Sequence, residues 1–138
     1  MGTYWAVLWL PGGASSQLTV APMNLTEPND KIAFVDTGFW ADRAIEAAAN
    51  EANAFYLASS KDTNHDRIPK ITDVQGARYL HVVSNETIDG TQYHQFPDVD
   101  VPLVADMTSD FLSRPLPMEK FGLIFASAQK NFGIAGIT

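Results

Sequence analysis

Short hydrophobic runs recur along the chain, and turn-forming residues separate them. The runs cover residues 4–10, 32–35, 55–58, 79–83, 102–106 and 123–126, and each has the length of a buried β-strand. An alanine-rich stretch at residues 41–52 has strong helix propensity and lies between the second and third runs. A strand, a helix and a strand in succession indicate parallel strands. We therefore predict an α/β fold, a three-layer sandwich with a mainly parallel sheet.

A glycine-rich turn follows the first run, which we predict to be a strand. Gly12, Gly13, Ala14 and Ser15 lead there into a helix-compatible segment. Small residues permit close backbone approach, and helix N–H groups and hydroxyls attract anions, so the turn could hold a phosphate. Ordinary turns and helix caps use the same residue types. Pro22 predicts that the helix is short or bent.

Composition narrows the class of protein. With 138 residues, 46% of them hydrophobic and 18% charged, the chain can bury one core, and we predict one domain over residues 1–138. The net charge of −7 and the absence of a Lys/Arg cluster argue against nucleic acid and against a basic membrane-binding face. No run is long enough to span a bilayer. The sequence has no cysteine, which excludes disulfides and thiolate sites and is compatible with a reducing cytoplasm.

The histidines do not predict a metal site. His65 has Asp62 and Asp66 nearby, but their spacing matches no defined ligand set, so we expect a solvated loop. His81 lies within a predicted strand and His94 in a predicted hairpin, and we interpret both as structural.

Aromatic and polar side chains follow two of the central runs. Trp40 comes just after the turn that ends run 32–35, where ligands of open α/β sheets bind. Its indole could stack on a flat ring or pack on the start of the following helix. Thr87 lies in residues 84–90, a string of hydroxyl, amide and carboxylate groups that follows run 79–83. Function concentrates at such places, although turns by themselves select the same residues.

Two charged residues indicate a possible chemistry. Asp106 ends run 102–106, and a carboxylate there can pair with a protonated pyridine nitrogen; a turn or helix-cap aspartate is the alternative. Lys130 follows the last run, among small residues, amides and glycines. Against apolar walls its amine would lose hydration, its pKa would fall, and it could form a Schiff base with a carbonyl cofactor. A solvated loop lysine is the alternative.

These groups meet if the runs form one parallel sheet, because the carboxyl ends of its strands share an edge. A phosphate-binding turn, an indole, a hydroxyl, a carboxylate and an amine together match what pyridoxal phosphate requires of a protein.

The strings PGGASSQL, FVDTGFW, SNETIDG, PLVADMTSDFLSRPL and KFGLIFASAQKNFGIAGIT resemble the phosphoserine aminotransferases. This family of serine biosynthesis belongs to the fold-type I, class V pyridoxal phosphate-dependent aminotransferases. The resemblance covers nearly the whole chain, and AQKN and DMTSDFLSRP are its most specific parts. It implies a cofactor-binding large-domain segment, without the small substrate domain, and pyridoxal 5'-phosphate as the cofactor.

The resemblance also implies a role for each matching residue. Lys130 is the Schiff-base lysine and Asp106 the partner of the pyridine nitrogen, and these two are the catalytic residues. The residues implied to contact the cofactor are Ala14, Ser15 and Gln129 at its phosphate, Trp40 on its ring, Thr87 at its phenolic oxygen, and Asp106 and Lys130 themselves.

Substrate recognition is where the chain departs from this family. None of its arginines, which are Arg43, Arg67, Arg78 and Arg114, matches a substrate-binding arginine. We expect a truncated, cytoplasmic phosphoserine:2-oxoglutarate aminotransferase that acts on small amino acids and 2-oxo acids as a homodimer or higher oligomer. A catalytically inactive cofactor-binding or interaction module is one alternative. A class V relative with another amino-acid substrate is the other.

Overall fold

A computed structural model describes residues 4–138, and a five-stranded sheet forms their centre. The strands are β1 (Lys31–Asp36), β2 (Asn53–Ser59), β3 (Tyr79–Val83), β4 (Leu103–Asp106) and β5 (Phe121–Phe125). Their order is β2-β1-β3-β4-β5, and each neighbouring pair is parallel. Every strand begins and ends within two residues of a predicted run. The prediction of a mainly parallel α/β sheet is therefore confirmed.

Two α-helices cover one face of the sheet. They are α1 (Ala14–Leu25) and α2 (Phe39–Ala48), and both pack on a core that includes Ile32 and Phe34 of β1. Full burial of such side chains contributes roughly 1.5–3 kcal/mol each. The helices are short, and within residues 4–138 none combines the length and the hydropathy that a membrane crossing needs.

Irregular segments, rather than helices, cover the opposite face. Buried Tyr93 and Phe96 and half-buried Ile68 and Ile71 pack there on β3 and β4. Tyr93 and Phe96 stack with their ring centroids 5.6 Å apart. The three layers are thus a helical layer, the sheet, and a layer of loops.

The predicted strand at residues 4–10 is not present. This segment lies outside the five-stranded sheet, and only its end is paired: the backbones of Leu10 and Thr138 exchange hydrogen bonds of 2.9 and 3.0 Å. An antiparallel bridge joins Pro11 and Ile137 in the same way. Tyr4, Val7, Leu8 and Trp9 are exposed. The apolar run does not become a strand because nothing within residues 4–138 pairs with its backbone before Leu10.

The first helix was predicted to be short or bent and the second to cover residues 41–52. Helix α1 continues for one turn past Pro22 and ends where the carbonyl of Pro22 accepts bonds from the Thr26 amide and hydroxyl, at 3.1 and 2.8 Å. The proline removes one N–H without ending the helix, and the residue is buried. Helix α2 begins two residues earlier than predicted, at Phe39, and ends at Ala48.

Candidate functional site

A cavity of about 130 Å³ lies at the carboxyl edge of the sheet, between the ends of β3, β4 and β5 and the first turns of α1 and α2. Every residue that the sequence analysis proposed for the site lines it: Ala14, Ser15, Trp40, Thr87, Asp106, Gln129 and Lys130. The tertiary structure thus brings together residues that are up to 116 positions apart in the sequence, from Ala14 to Lys130.

One end of the cavity has the features of an anion site. Helix α1 begins there, and its N-cap residue, Gly13, has no side chain to cap the helix. The amides of Ala14 and Ser15 donate to no acceptor within residues 4–138. Gln129 is exposed beside them, and its carbonyl oxygen accepts from the Ser127 hydroxyl, which leaves its NH₂ group free to donate. Free amides at the positive end of a helix favour a phosphate.

The opposite wall carries the indole of Trp40, which is half-buried in the first turn of α2. Its Nε1 lies 3.3 Å from the hydroxyl oxygen of Thr87, so the indole donates to that hydroxyl. The ring of Phe39 packs edge-on against the indole, with the two ring centroids 5.1 Å apart. The indole therefore lines the cavity and also packs at the start of α2.

Asp106 ends β4 at the floor of the cavity, where it is 7% exposed. Its Oδ1 accepts hydrogen bonds from the amide and the hydroxyl of Thr108, at 2.9 and 2.6 Å. Burial raises the pKa of the Asp106 carboxyl above its usual range, and the Thr108 hydrogen bonds only partly oppose this. Among residues 4–138 no donor reaches Oδ2. The aspartate makes a local turn and also presents a buried acceptor suited to a cation.

Lys130 stands at the rim, on the turn after β5. Hydrogen bonds from the Ala128 amide to the Ile137 carbonyl (2.9 Å) and from the Gly133 amide to the Ala128 carbonyl (2.9 Å) hold this turn. The residue itself is exposed. This exposure agrees with a solvated lysine, one of the two alternatives for Lys130, although the residue also lines the cavity.

The sequence analysis did not assign several lining residues, among them Asn85, Thr108, Ser109 and Ser127. Asn85 donates to the Ser109 hydroxyl at 2.8 Å, and that hydroxyl donates to the Asn85 carbonyl at 3.1 Å, so the loops after β3 and β4 are joined. Three of the four lie within three positions of Thr87 or Asp106. Adjacency to those residues at a strand end was the available signal.

Outside the cavity, His65 differs from its prediction as a solvated loop residue. Its side chain is 12% exposed, and its Nε2 lies 2.7 Å from Oδ1 of Asp36, at the end of β1. The loop folds back because the His65 amide donates to the Ser60 carbonyl. His81 is buried in β3, where desolvation lowers its pKa to about 3 and keeps it neutral. Across residues 4–138, no three metal-binding side chains converge.

Comparison with known proteins gives one consistent family. The sequence profile of the family described as aminotransferase class-V matches residues 3–138. The phosphoserine aminotransferase of Lysinibacillus sphaericus (strain C3-41) is 45% identical over 138 residues, which cover 97% of this chain and 38% of that protein. The chain thus spans less than half the length of the curated relatives it matches.

Solved structures show the same similarity. The phosphoserine aminotransferase from Bacillus circulans subsp. alkalophilus matches with a TM-score of 0.89 and 43% identity, over 94% of this chain and 37% of that one. A pyridoxal phosphate-bound phosphoserine aminotransferase from Trichomonas vaginalis matches with a TM-score of 0.85 and 37% identity, over 94% of this chain and 40% of that one.

Proposed function

This chain belongs to the class V aminotransferases, and on that premise we propose that residues 1–138 are the cofactor-binding segment of a phosphoserine:2-oxoglutarate aminotransferase of serine biosynthesis. The observation that carries the proposal is the single cavity that all seven candidate residues line. The identity of 45% to a phosphoserine aminotransferase supports the choice of reaction.

The donors and acceptors of the cavity fit pyridoxal 5'-phosphate. The free amides of Ala14 and Ser15, with the Gln129 NH₂ group, suit a phosphate dianion. The buried Asp106 carboxylate has an open Oδ2 and suits a protonated ring nitrogen. The Thr87 hydroxyl is available for the phenolic oxygen. The charges of these groups thus complement those of the cofactor's phosphate and of its ring nitrogen.

Each residue then has a defined task. The bound cofactor supplies an electrophilic aldehyde and an electron-withdrawing ring. Lys130 would supply the amine that holds the cofactor through its aldehyde and that moves a proton when it is released. Asp106 would hold the ring nitrogen through Oδ2, while the Thr108 hydrogen bonds keep this side chain in place. Trp40 would orient the cofactor ring with its indole.

Substrate recognition requires groups beyond this cavity. A substrate carboxylate or phosphate is best held by a bidentate guanidinium, but no arginine lines the cavity in the described part of the chain. All four arginines lie near carboxylates elsewhere: Arg43 with Glu46, Arg67 with Asp62, Arg78 with Asp30, and Arg114 with Asp110. We therefore place the small amino-acid and 2-oxo-acid substrates against residues supplied from outside this segment.

Reductive trapping tests the cofactor assignment. The chain is incubated with micromolar pyridoxal phosphate and then borohydride, and the modified lysine is identified by peptide mass spectrometry. We expect the adduct on Lys130, its loss in Lys130→Ala, and wild-type labelling in the control Lys70→Ala, because Lys70 is exposed and lies off the cavity. Equal labelling of all five lysines would count against the assignment.

Binding of the cofactor without turnover is the second candidate function. The absence of arginine from the cavity favours it for this segment alone. Assays with phosphohydroxypyruvate and glutamate, run beside cofactor titration, separate the two. Transamination supports the enzyme, and binding without transamination supports an inactive binding module. Transamination of another amino acid at a higher rate would instead identify a class V relative with a different substrate.

We also propose that the chain is a homodimer or higher oligomer. Its segment 4–9 exposes apolar side chains, including 71% of Leu8 and 67% of Trp9, and such a patch favours association. The open rim of the cavity, where Gln129 and Lys130 are exposed, is also compatible with closure by another polypeptide. Light scattering at micromolar concentration should give at least a dimer, with dissociation in Leu8→Ser/Trp9→Ser. A wild-type monomer would contradict this.

We place the protein in the cytoplasm. The cysteine-free sequence supports this compartment because it needs no oxidising environment. Fractionation of the native host should recover it with the cytosolic fraction, and recovery with membranes or the culture medium would contradict the assignment.

A further inference from the structure

The loop after β3 is hydrogen-bonded to the turn between β1 and α2 and to the start of α2. Five hydrogen bonds cross between them, and each joins residues at least 45 positions apart. One of them is the contact between Thr87 and the Trp40 indole, and another runs from the Thr91 hydroxyl to the Thr37 carbonyl at 3.0 Å. The other three bind backbone amides of the first turn of α2.

Glu86 makes two of those three bonds. It is fully buried, and its two carboxylate oxygens accept from consecutive amides: Oε2 from Trp40 at 3.0 Å and Oε1 from Ala41 at 2.9 Å. No lysine or arginine pairs with it within residues 4–138. Burial raises the pKa of the Glu86 carboxyl, and the hydrogen bonds from the two helix amides oppose this effect. The position of Glu86 determines where the backbone of Trp40 lies.

Asp89 makes the third bond. Its Oδ2 accepts from the Phe39 amide at 2.8 Å, and its Oδ1 lies 3.9 Å from Nδ1 of His65. His65 in turn bonds to Asp36 at the end of β1. The Asp89 carboxylate thus lies between the start of α2 and His65, which is itself bonded to the end of β1.

Resting on the proposed function, we propose that Glu86 and Asp89 are positioning residues that hold the Trp40 indole where it stacks on the cofactor ring and contacts Thr87. The N-cap of α2 is Gly38, which has no side chain to do this. The same loop that supplies the two carboxylates also supplies Thr87. One loop therefore both caps α2 and forms, with Trp40, the wall of the cavity against which the cofactor ring would stack.

A sharp test uses Glu86→Gln, which keeps the shape of the side chain. Both carboxylate oxygens of Glu86 accept a hydrogen bond. The side-chain amide of the glutamine must therefore turn its NH₂ group towards the backbone N–H of Trp40 or of Ala41, and one hydrogen bond is lost in either orientation. The matched control is Asp73→Asn. Asp73 also accepts a backbone amide, that of Gln75 at 3.0 Å, but it is exposed and lies off the cavity.

The first readout needs no cofactor. In a Trp5→Phe/Trp9→Phe background of the 138-residue chain, where Trp40 is the sole tryptophan, its indole N–H signal is followed by NMR and its accessibility by acrylamide quenching. We expect Glu86→Gln to shift the indole signal and to raise the quenching constant about twofold, with no change in Asp73→Asn. An unchanged indole in a folded Glu86→Gln protein overturns the inference, whether or not the cofactor binds.

The second readout is the affinity for pyridoxal phosphate, measured by absorbance at a temperature where all variants are folded. Glu86→Gln should raise the Kd about tenfold, the size expected when one buried amide loses its acceptor. If the wild type does not bind the cofactor, the proposed function fails while the indole readout still decides this inference. If Glu86→Gln does not fold, Asp89→Ala carries the test, since the Asp89 side chain is 23% exposed and makes one of the three bonds. The same shift and a smaller change in Kd are then required.

Discussion

Gly38 and Asp89 fit together only because residue 38 has no side chain. Gly38 has φ +146°, and a Cβ placed on it would overlap the Asp89 carboxylate, with Cγ only 2.8 Å away. This carboxylate is the group that holds the Phe39 amide. The turn after β1 and the loop after β3 therefore approach each other as closely as glycine permits. This approach sets the position of the cavity wall that Trp40 and Thr87 form.

Gly38→Ala should destabilise the chain through both strain and overlap. Backbone strain costs about 1–3 kcal/mol, and overlap with Asp89 adds about 1–3 kcal/mol. Gly90→Ala is the matched control, because Gly90 also has a positive φ, +93°, but has open space around its Cβ position. Urea unfolding followed by circular dichroism measures both. Equal losses in the two variants would show that the contact with Asp89 is unimportant.

His81 should make stability depend on acid pH. Burial lowers its folded-state pKa from 6.5 to about 3, so between these values the unfolded chain binds the extra proton. Stability is then lost as the pH falls from 6.5 towards 3, by up to about 1.4 kcal/mol per pH unit. His81→Phe should reduce this dependence and keep the packing on Phe34, whose ring centroid is 4.9 Å away.

The control for His81 is His94→Gln, since His94 is exposed. Its unfolding free energy should follow the wild-type pH dependence between 6.5 and 3. A wild-type slope in His81→Phe would mean that other groups cause the loss of stability in acid.

Asp106→Asn should stabilise the folded chain and weaken its binding of the cofactor. Burial raises the folded-state pKa of Asp106, so the folded carboxyl holds its proton more tightly than the unfolded one, and its contribution to stability is lost as the pH rises through that raised value. At pH 7 the variant should therefore melt at a higher temperature than the wild type, because the oxygen of the new side-chain amide can still accept both Thr108 donors. Its affinity for pyridoxal phosphate should fall.

Thermal melts across pH 4 to 8, with and without the cofactor, test this pair of effects. Asp98→Asn is the control, because its side chain is 96% exposed. A lower melting temperature of Asp106→Asn at pH 7 would contradict the assignment of an unpaired buried charge.

Pyridoxal phosphate should stabilise the folded chain by mass action. At a free concentration one hundred times its Kd, the expected gain is about 2.7 kcal/mol. Lys130→Ala should lose most of the gain at the same concentration, because only non-covalent contacts remain, while Lys70→Ala should keep it. Differential scanning fluorimetry measures the shift. A full shift in Lys130→Ala would leave the lysine without a role in binding.

The candidate site illustrates how much could be predicted from residues alone. Asp106 and Lys130 follow hydrophobic runs, and the carboxyl ends of parallel strands share an edge, so their placement in one cavity follows from a local pattern and one topological rule. Glu86 also follows a hydrophobic run, but nothing in the sequence indicated its partner, and His65 lies directly after no such run. Their partners, Trp40 and Asp36, are 46 and 29 positions away, and no local periodicity encodes contacts at that range.

The sequence by itself determined the positions of the five strands, because apolar runs bounded by turns show locally which backbone is to be buried. It also indicated the approximate place of α2 and, through its motifs, the family. Only the tertiary structure decided which of those runs would be paired. Residues 4–10 were predicted to be a strand but find a backbone partner only at Leu10, and Lys130, for which the sequence left a sheltered and a solvated position open, is exposed on its turn. Pairing, exposure and the carboxylate support of Trp40 depend on groups brought together from distant parts of the chain, and hydrophobicity along the sequence does not specify those distances.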